Sequence, residues 1–591
     1  MTTAALPRWD LSPLYAAPDD PAITRDLEES RRAADAFAAA HRGRVGGYDA
    51  ATLAAALAGF EDLLDRLYRP SFYAQLAFAT ATEDPAVQAL LARVRELTTD
   101  IGNRLQFFDI EIKVTPAAVF DGWLAAPALA TYAHHLRRLR RLAPHTLSEP
   151  EERLAAVKDI TGRAAFAQLY SEVTAAWRIP FEVEGETRER SLAEMRALRS
   201  HGDREVRRRA SAAVLERHRD HAQVLVYVAN TLWQDHRLEV DLRRFDGPMA
   251  PTLLDDELSR AGVEALMSAV ESRYGLAHEY YRLKARALGI GDFATHDLLA
   301  PYAAESRRIT WAEAQADVES AFAEVSPEMR AIARGFFAER RIDAEPRPGK
   351  RDGAFCSAMV PALPPWVLTN FTGRLEDVST LAHELGHGVH FVLAGRAQRL
   401  LNYWPTTPLA ETASVFGEMV LGRRQLERER DPGVRRQLLA HRIEDALATI
   451  MRQVAYTRFE QHAHARRAEG VVPKGEYCGL WRAAIARLYG DAVRLSDLDG
   501  WGWITIPHFI AYRFYCYSYA FGQLLVFALY RKWEQEGAAF VPRLFELLAA
   551  GGSQEPGPLL ARVGIDIADP AFWGQGLDVL AELIREFEEV V

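Results

Sequence analysis

The chain has 591 residues, 49% of them hydrophobic and 26% charged, which is ordinary for a folded soluble protein and enough to bury one or more large cores. Its formal net charge of −10 is opposite to the basic surplus that a nucleic-acid binder carries to neutralise phosphates. Three widely spaced cysteines, Cys356, Cys478 and Cys516, are too few for a disulfide framework and offer no Cys-x-x-Cys pair for a thiolate zinc site.

The opening, Met1 to Trp9, lacks the charged and then apolar run of a secretory signal. The most apolar stretch, around Ala520 to Tyr530, is shorter than the ~18 residues needed to span a bilayer. These features predict a cytoplasmic protein with neither a membrane nor a nucleic-acid partner. Most of the chain reads as helix, with apolar residues recurring at three- and four-residue spacing. Over Ala51 to Leu67, the residues Leu53, Leu57, Phe60, Leu63, Leu64 and Leu67 form one stripe, and similar patterns cover Pro85 to Leu105 and Glu257 to Leu288. The arginines of His135–Arg141 and Arg204–Arg209 alternate with apolar residues as on solvated helix faces.

Two places break the helical pattern. Trp177 to Glu186 alternates and contains Gly185, predicting a strand or hairpin at the seam between an N-terminal helical region, 1–195, and the remainder, 196–591. Pro346 to Gly353 is rich in turn formers and leads into Ala354 to Phe371, where Pro361, Pro364 and Pro365 point to an edge strand around Trp366, Val367 and Leu368. An extended peptide can pair with such an edge, between Ala358 and Leu368. Gly289-Ile-Gly291 is not a complete dinucleotide fingerprint and Pro348-Gly-Lys350 is not a phosphate loop.

The segment Thr372 to Gly395 reads as a helix. Leu375, Val378, Leu381, Leu385, Val389 and Val392 make its apolar stripe, Glu376 and Asp377 suit the first turn, and Gly395 suits the end. Residues four apart are stacked neighbours on a helix, so His383 and His387 can place imidazole nitrogens on one ion while Glu384 lies beside it. This is the His-Glu-x-x-His pattern of metal-assisted hydrolysis, two ligands plus a carboxylate that takes a proton from water. Gly386 and Gly388 weaken the helix and point to close packing. His390 is read as packing or bonding locally.

A third ligand should come from a separate segment. Leu409 to Leu421 reads as one helix carrying Glu411 and Glu418, seven apart and so on nearly the same face. Spacing favours Glu411 as the third ligand over Glu418, which two turns on could orient a ligand histidine. Further on, His508, Tyr512, Tyr515 and Tyr519 are spaced as one narrow helical stripe, with Pro507 in the first turn. Beside a metal site such a face could stabilise an oxyanion. The same pattern equally suits an aromatic core stripe whose hydroxyls bond to neighbours.

Together these segments resemble the thimet-oligopeptidase-like (M3) family of zinc peptidases, in its oligoendopeptidase F branch. The strongest match runs over Gly349–Ser357, Leu368–Gly373 and Thr380–His390. Trp9–Tyr15, Asp203–Arg207, Arg452-Gln453 and Phe459-Glu460 extend it over nearly the whole chain. The resemblance implies a mainly α, zincin-like helical ellipsoid with a deep substrate channel, a small β-sheet beside the metal helix, and one Zn2+ per chain. It makes Glu411 the third ligand beside His383 and His387. It also places His508, Tyr512 and Tyr519 near the scissile carbonyl, with Glu384 as the base. The His508–Tyr512 spacing is one residue shorter than in the thimet branch and Cys516 stands at a tyrosine position, which leaves open which tyrosine meets the oxyanion.

The expected activity is that of a zinc metalloendopeptidase hydrolysing internal bonds of short to medium oligopeptides. One rival is a zinc exopeptidase of carboxypeptidase type, which would need a feature anchoring a free terminus; no Gly-x-Met-Glu-Asn run is present. Another is a helical peptide-binding protein without catalysis, against which the full set His383, Glu384, His387 and Glu411 argues.

Overall fold

The computed structural model describes residues 6–302 and 308–591. Met1 to Ala5, the first part of the stretch read for a leader, lie outside them. Helix accounts for 72% of the protein, the mainly α architecture expected from the sequence. Strands form a hairpin of β1 (Ile179–Val183) and β2 (Glu186–Arg190), and a small sheet of β3 (Ile342–Asp343), β4 (Phe355–Ser357) and β5 (Trp366–Leu368). Two compact units interleave along the chain. One comprises Met1–Glu149, Arg307–Gln425 and Leu529–Ile565; the other comprises Pro150–Ser306, Leu426–Ala528 and Asp566–Val591. Residue 195 falls inside the second. Among the described residues, no helix is long and apolar enough to cross a membrane.

In the first unit the helices Pro21–His41, Ala50–Thr80 and Pro85–Val114 pack together. Each begins at an aspartate, Asp20, Asp49 or Asp84, whose side chain accepts amides of the first turn. The stripe Leu53, Leu57, Phe60, Leu63 and Leu67 is buried as predicted, and the helix continues through Pro70 to Thr80. Phe72, Leu76 and Leu90 share a core with Trp366 and Leu368 of β5. The small sheet is thereby anchored on the N-terminal helices.

The order of that sheet, β3–β5–β4, corrects one expectation. Trp366–Leu368 is the central strand, pairing parallel with β3 and antiparallel with β4. Its prolines precede the ladder and so remove no bond from it. The edges are β3 and β4. Lys350 gives the turn Pro346–Gly353 its role: its buried ammonium pairs with Asp343 at 2.8 Å and donates to Thr369 O at 2.6 Å, tying the ends of β3 and β5 together.

In the second unit β1 and β2 are joined by Glu184 and Gly185 at φ 53° and 82°, the left-handed pair of a two-residue hairpin. The pattern over Glu257 to Leu288 forms two helices, Arg260–Ser272 and Gly275–Leu288, parted just ahead of Gly275. The run Arg204–Arg209 is not wholly solvated. Arg207 is buried, and with Arg204 it clasps the fully buried Asp297. Trp233, on helix Ala222–Leu242, centres the core, ringed by Phe459, Tyr477 and Trp503.

Candidate metal centre

The metal helix spans Leu375–Ala397. Asp377 in its first turn accepts the amides of Thr372 and Arg374, satisfying donors that a helix start leaves open. Val378, Leu381, Leu385 and Val389 are buried. Gly395 lies inside the last turn and not beyond it, and serves close packing: a Cβ there would stand 3.2 Å from Pro361 O.

His383 and His387, one turn apart, bring their Nε2 atoms to 3.2 Å. Glu411 Oε2 lies 3.3 Å from each. The helix read over Leu409 to Leu421 is in fact broken at Glu411, between Thr407–Ala410 and Thr412–Arg428. Ser414 Oγ steadies the Glu411 carboxylate with a 2.9 Å bond. Gly386 makes this approach possible, and Gly388 makes room for a different helix, Pro327–Ala338. A Cβ on Gly386 would come within 2.5 Å of Ala413 O, and one on Gly388 within 2.4 Å of the Phe336 ring.

Glu418 Oε1 lies 3.3 Å from His383 Nδ1, the ring atom opposite the one facing Glu411. Burial opposes charge on His383, but Glu411 and Glu418 outweigh it and hold the imidazole well above its ordinary value. Burial likewise opposes charge on Glu411, and the two histidines overcome it, holding its carboxyl well below the usual range. Glu384 is buried, and that burial pushes its carboxyl up against the pull of His383 and His387. The Cys356 N–H of edge strand β4 donates to it. A raised carboxyl is suited to taking up and returning a proton. His390 stands apart from this cluster, buried and bonded to the backbone of Ala410, its imidazole pushed down to about 4 chiefly by burial.

Among the described residues His383, His387 and Glu411 form a group of metal-ligating side chains with donor atoms within 4.8 Å of one another. Donors ~2.0–2.1 Å from a tetrahedral zinc stand about 3.3 Å apart. The observed triangle, with edges of 3.2, 3.3 and 3.3 Å, therefore fits zinc without rearrangement and leaves a fourth vertex for another ligand.

The other predicted residues gather in the second unit, and not on one helix. His508–Ala511 is a single turn, Tyr512 to Cys516 form a reversal with Phe514 at φ 51°, and the next helix begins at Tyr517. The rings still meet. His508 Nε2 and the Tyr519 hydroxyl are 3.1 Å apart, and Tyr515 stacks on His508 at 5.8 Å and 15°. Tyr512 is 56% exposed, 5.3 Å from Tyr515 between ring centres. Burial lowers the His508 imidazole below its ordinary value. Sequence reasoning did not find the Cys356 amide or the Phe514 reversal. A backbone donor leaves no residue-type signal, and Phe is not a residue that marks left-handed backbone.

Comparison with known proteins gives this geometry a family. The profile described as Peptidase family M3 matches residues 197–579, and the one described as Oligopeptidase F matches 111–178. The chain is 25% identical over 533 residues to an oligoendopeptidase F homolog of Lactococcus lactis, covering 89% of this chain and 88% of the relative. It is 24% identical over 537 residues to oligopeptidase PepF of Bacillus subtilis, covering 90% and 80%. In fold it is similar to a Chlamydophila abortus protein (TM-score 0.86, 23% identity, 99% and 98% covered) and to oligoendopeptidase-F from Enterococcus faecium (TM-score 0.70, 22% identity, 96% and 97% covered). The chain belongs to peptidase family M3 and is a metallopeptidase.

Proposed function

We propose that the protein is a zinc-dependent endopeptidase of the cytoplasm, cutting internal bonds of short to medium oligopeptides. The observation that carries this reading is the triangle of His383, His387 and Glu411 with the buried Glu384 beside it. The free state of Cys356, Cys478 and Cys516 supports a reducing compartment. Charge supports peptides over nucleic acid as partners.

His383, His387 and Glu411 would hold one zinc ion, and Glu418 would orient His383 through Nδ1. When bound, zinc supplies Lewis acidity that makes a water acidic enough to lose a proton near neutral pH. Glu384 accepts that proton as the water oxygen attacks the scissile carbonyl carbon, then delivers it to the departing amine as the C–N bond breaks. The peptide lies extended along β4, the edge strand that packs on the metal helix, and no longer along Ala358 to Leu368 as the sequence suggested. His508 and the Tyr519 hydroxyl donate to the oxyanion, and Tyr512 holds the peptide backbone. Support for these three comes from their clustering within the second unit and from the family resemblance.

The test is an internally quenched peptide of about ten residues, blocked at both ends, with products read by mass. Internal cleavage that a chelator abolishes and zinc restores is expected. Cleavage only of peptides with a free terminus would replace this reading with an exopeptidase.

A further inference from the structure

The reversal that carries the tyrosines is held from below. Thr252 Oγ1 donates to Arg513 O at 2.8 Å, and Asp256 accepts the Tyr517 hydroxyl at 2.5 Å and the Ser518 hydroxyl at 3.3 Å. Trp233 Nε1 donates to Phe509 O at 3.0 Å, fixing the turn that bears His508. Between these ties stands Glu460, on helix Arg452–Ala468 and only 1% exposed, whose Oε1 accepts the Phe514 N–H at 2.9 Å.

Phe514 is where the chain needs help. A bulky residue at φ 51° is in the left-handed region that L side chains avoid, and its N–H is buried where no water can replace an acceptor. Its ring is fully buried against His464 and His236, while Tyr512, two residues earlier, is exposed and Tyr515, the next, stacks on His508. A carboxylate buried to this degree is costly unless it has a task. Its charged and titratable surroundings are few: Arg513 from the same reversal, His464 one turn along its own helix at 4.0 Å, His236 packed on His464, and the Cys516 thiol.

We propose that Glu460 is a positioning residue of the peptidase: by accepting the Phe514 N–H it holds the reversal Tyr512–Cys516 in the left-handed form that stacks Tyr515 on His508 and keeps Tyr519 in register with His508 Nε2. This rests on the role given above to His508 and Tyr519. Without an acceptor the Phe514 amide must turn elsewhere, and the ring cluster turns with it. A displacement of about 1 Å among such groups can cost about 100-fold in turnover.

The experiment compares Glu460→Met and Glu460→Gln with wild type in the zinc-loaded full chain. Met fills the space without accepting a bond, whereas Gln keeps an acceptor oxygen. Two readouts are taken: kcat and KM on the blocked quenched peptide, and the NMR titration of the His508 imidazole, assigned by its loss in His508→Ala. Glu460→Met is expected to fold, to lose about 10- to 100-fold in kcat with KM within about threefold, and to shift the His508 titration towards its ordinary value. Glu460→Gln is expected to restore most of kcat and the wild-type titration. A folded Glu460→Met with wild-type kcat and an unmoved His508 titration overturns the proposal. If Met does not fold, Glu460→Thr, too short to reach the amide, is judged by the same two outcomes. Should wild type not cleave the blocked peptide, the endopeptidase reading fails while the His508 titration still decides whether Glu460 holds the turn.

Discussion

His383 stands between two carboxylates, with Nε2 3.3 Å from Glu411 Oε2 and Nδ1 3.3 Å from Glu418 Oε1. The second contact fixes which nitrogen carries the proton and so leaves Nε2 as the lone-pair donor. Glu418→Ala is expected to keep the fold and weaken zinc binding about 10- to 100-fold, read by competition with a chromogenic chelator. Unchanged affinity would show that Glu418 does not orient the ligand.

The glycines of the metal helix differ in what they face. A methyl on Gly386 meets the backbone at Ala413, two residues from Glu411, while one on Gly388 meets a phenyl ring that can turn. Gly386→Ala should cost about 1–3 kcal/mol by overpacking and lose bound zinc; Gly388→Ala should lose less of both. Thermal melts and metal analysis of the two variants check the ordering.

Tyr519→Phe and His508→Ala each remove one partner of a 3.1 Å pair. If they serve the oxyanion, kcat falls about 100- to 1,000-fold with KM little changed. A change in KM alone would assign them to binding the peptide.

Burial, against the pull of the Phe514 amide and Arg513, raises the Glu460 carboxyl to about 7 from its usual 4.5. A raised carboxyl means that between about pH 4.5 and 7 the folded protein holds a proton the unfolded chain has lost. Stability therefore falls as pH rises through that window, by about 3 kcal/mol. Glu460→Gln cannot ionise, so its melting temperature should gain on wild type between pH 5 and pH 8. A constant difference across that range would show that Glu460 titrates normally.

What the sequence reveals about the site depends on how local the determinant is. His383, Glu384 and His387 are set by helical spacing alone, and the glycines beside them announced the close approach that the structure contains. Spacing favoured Glu411 over Glu418 as the third ligand, and the structure puts Glu411 on both Nε2 atoms and Glu418 on Nδ1, but the break of the helix at Glu411 left no mark in the pattern. The stripe from His508 to Tyr519 was right about neighbours and wrong about backbone: a reversal at Phe514 gathers rings that a straight helix would also have aligned. The sheet order escaped because β3 is only two residues long and is recruited by β5 from beyond the whole turn-rich and proline-rich stretch that separates them.

The most direct measurement of the central claim is turnover and metal content of Glu384→Gln, made side by side with wild type on the blocked quenched peptide. The substitution leaves His383, His387 and Glu411 untouched and removes only the carboxylate that moves the proton. One zinc per chain with kcat reduced at least about 100-fold is the predicted result. Zinc fully bound with hydrolysis near the wild-type rate would contradict the account and require another base.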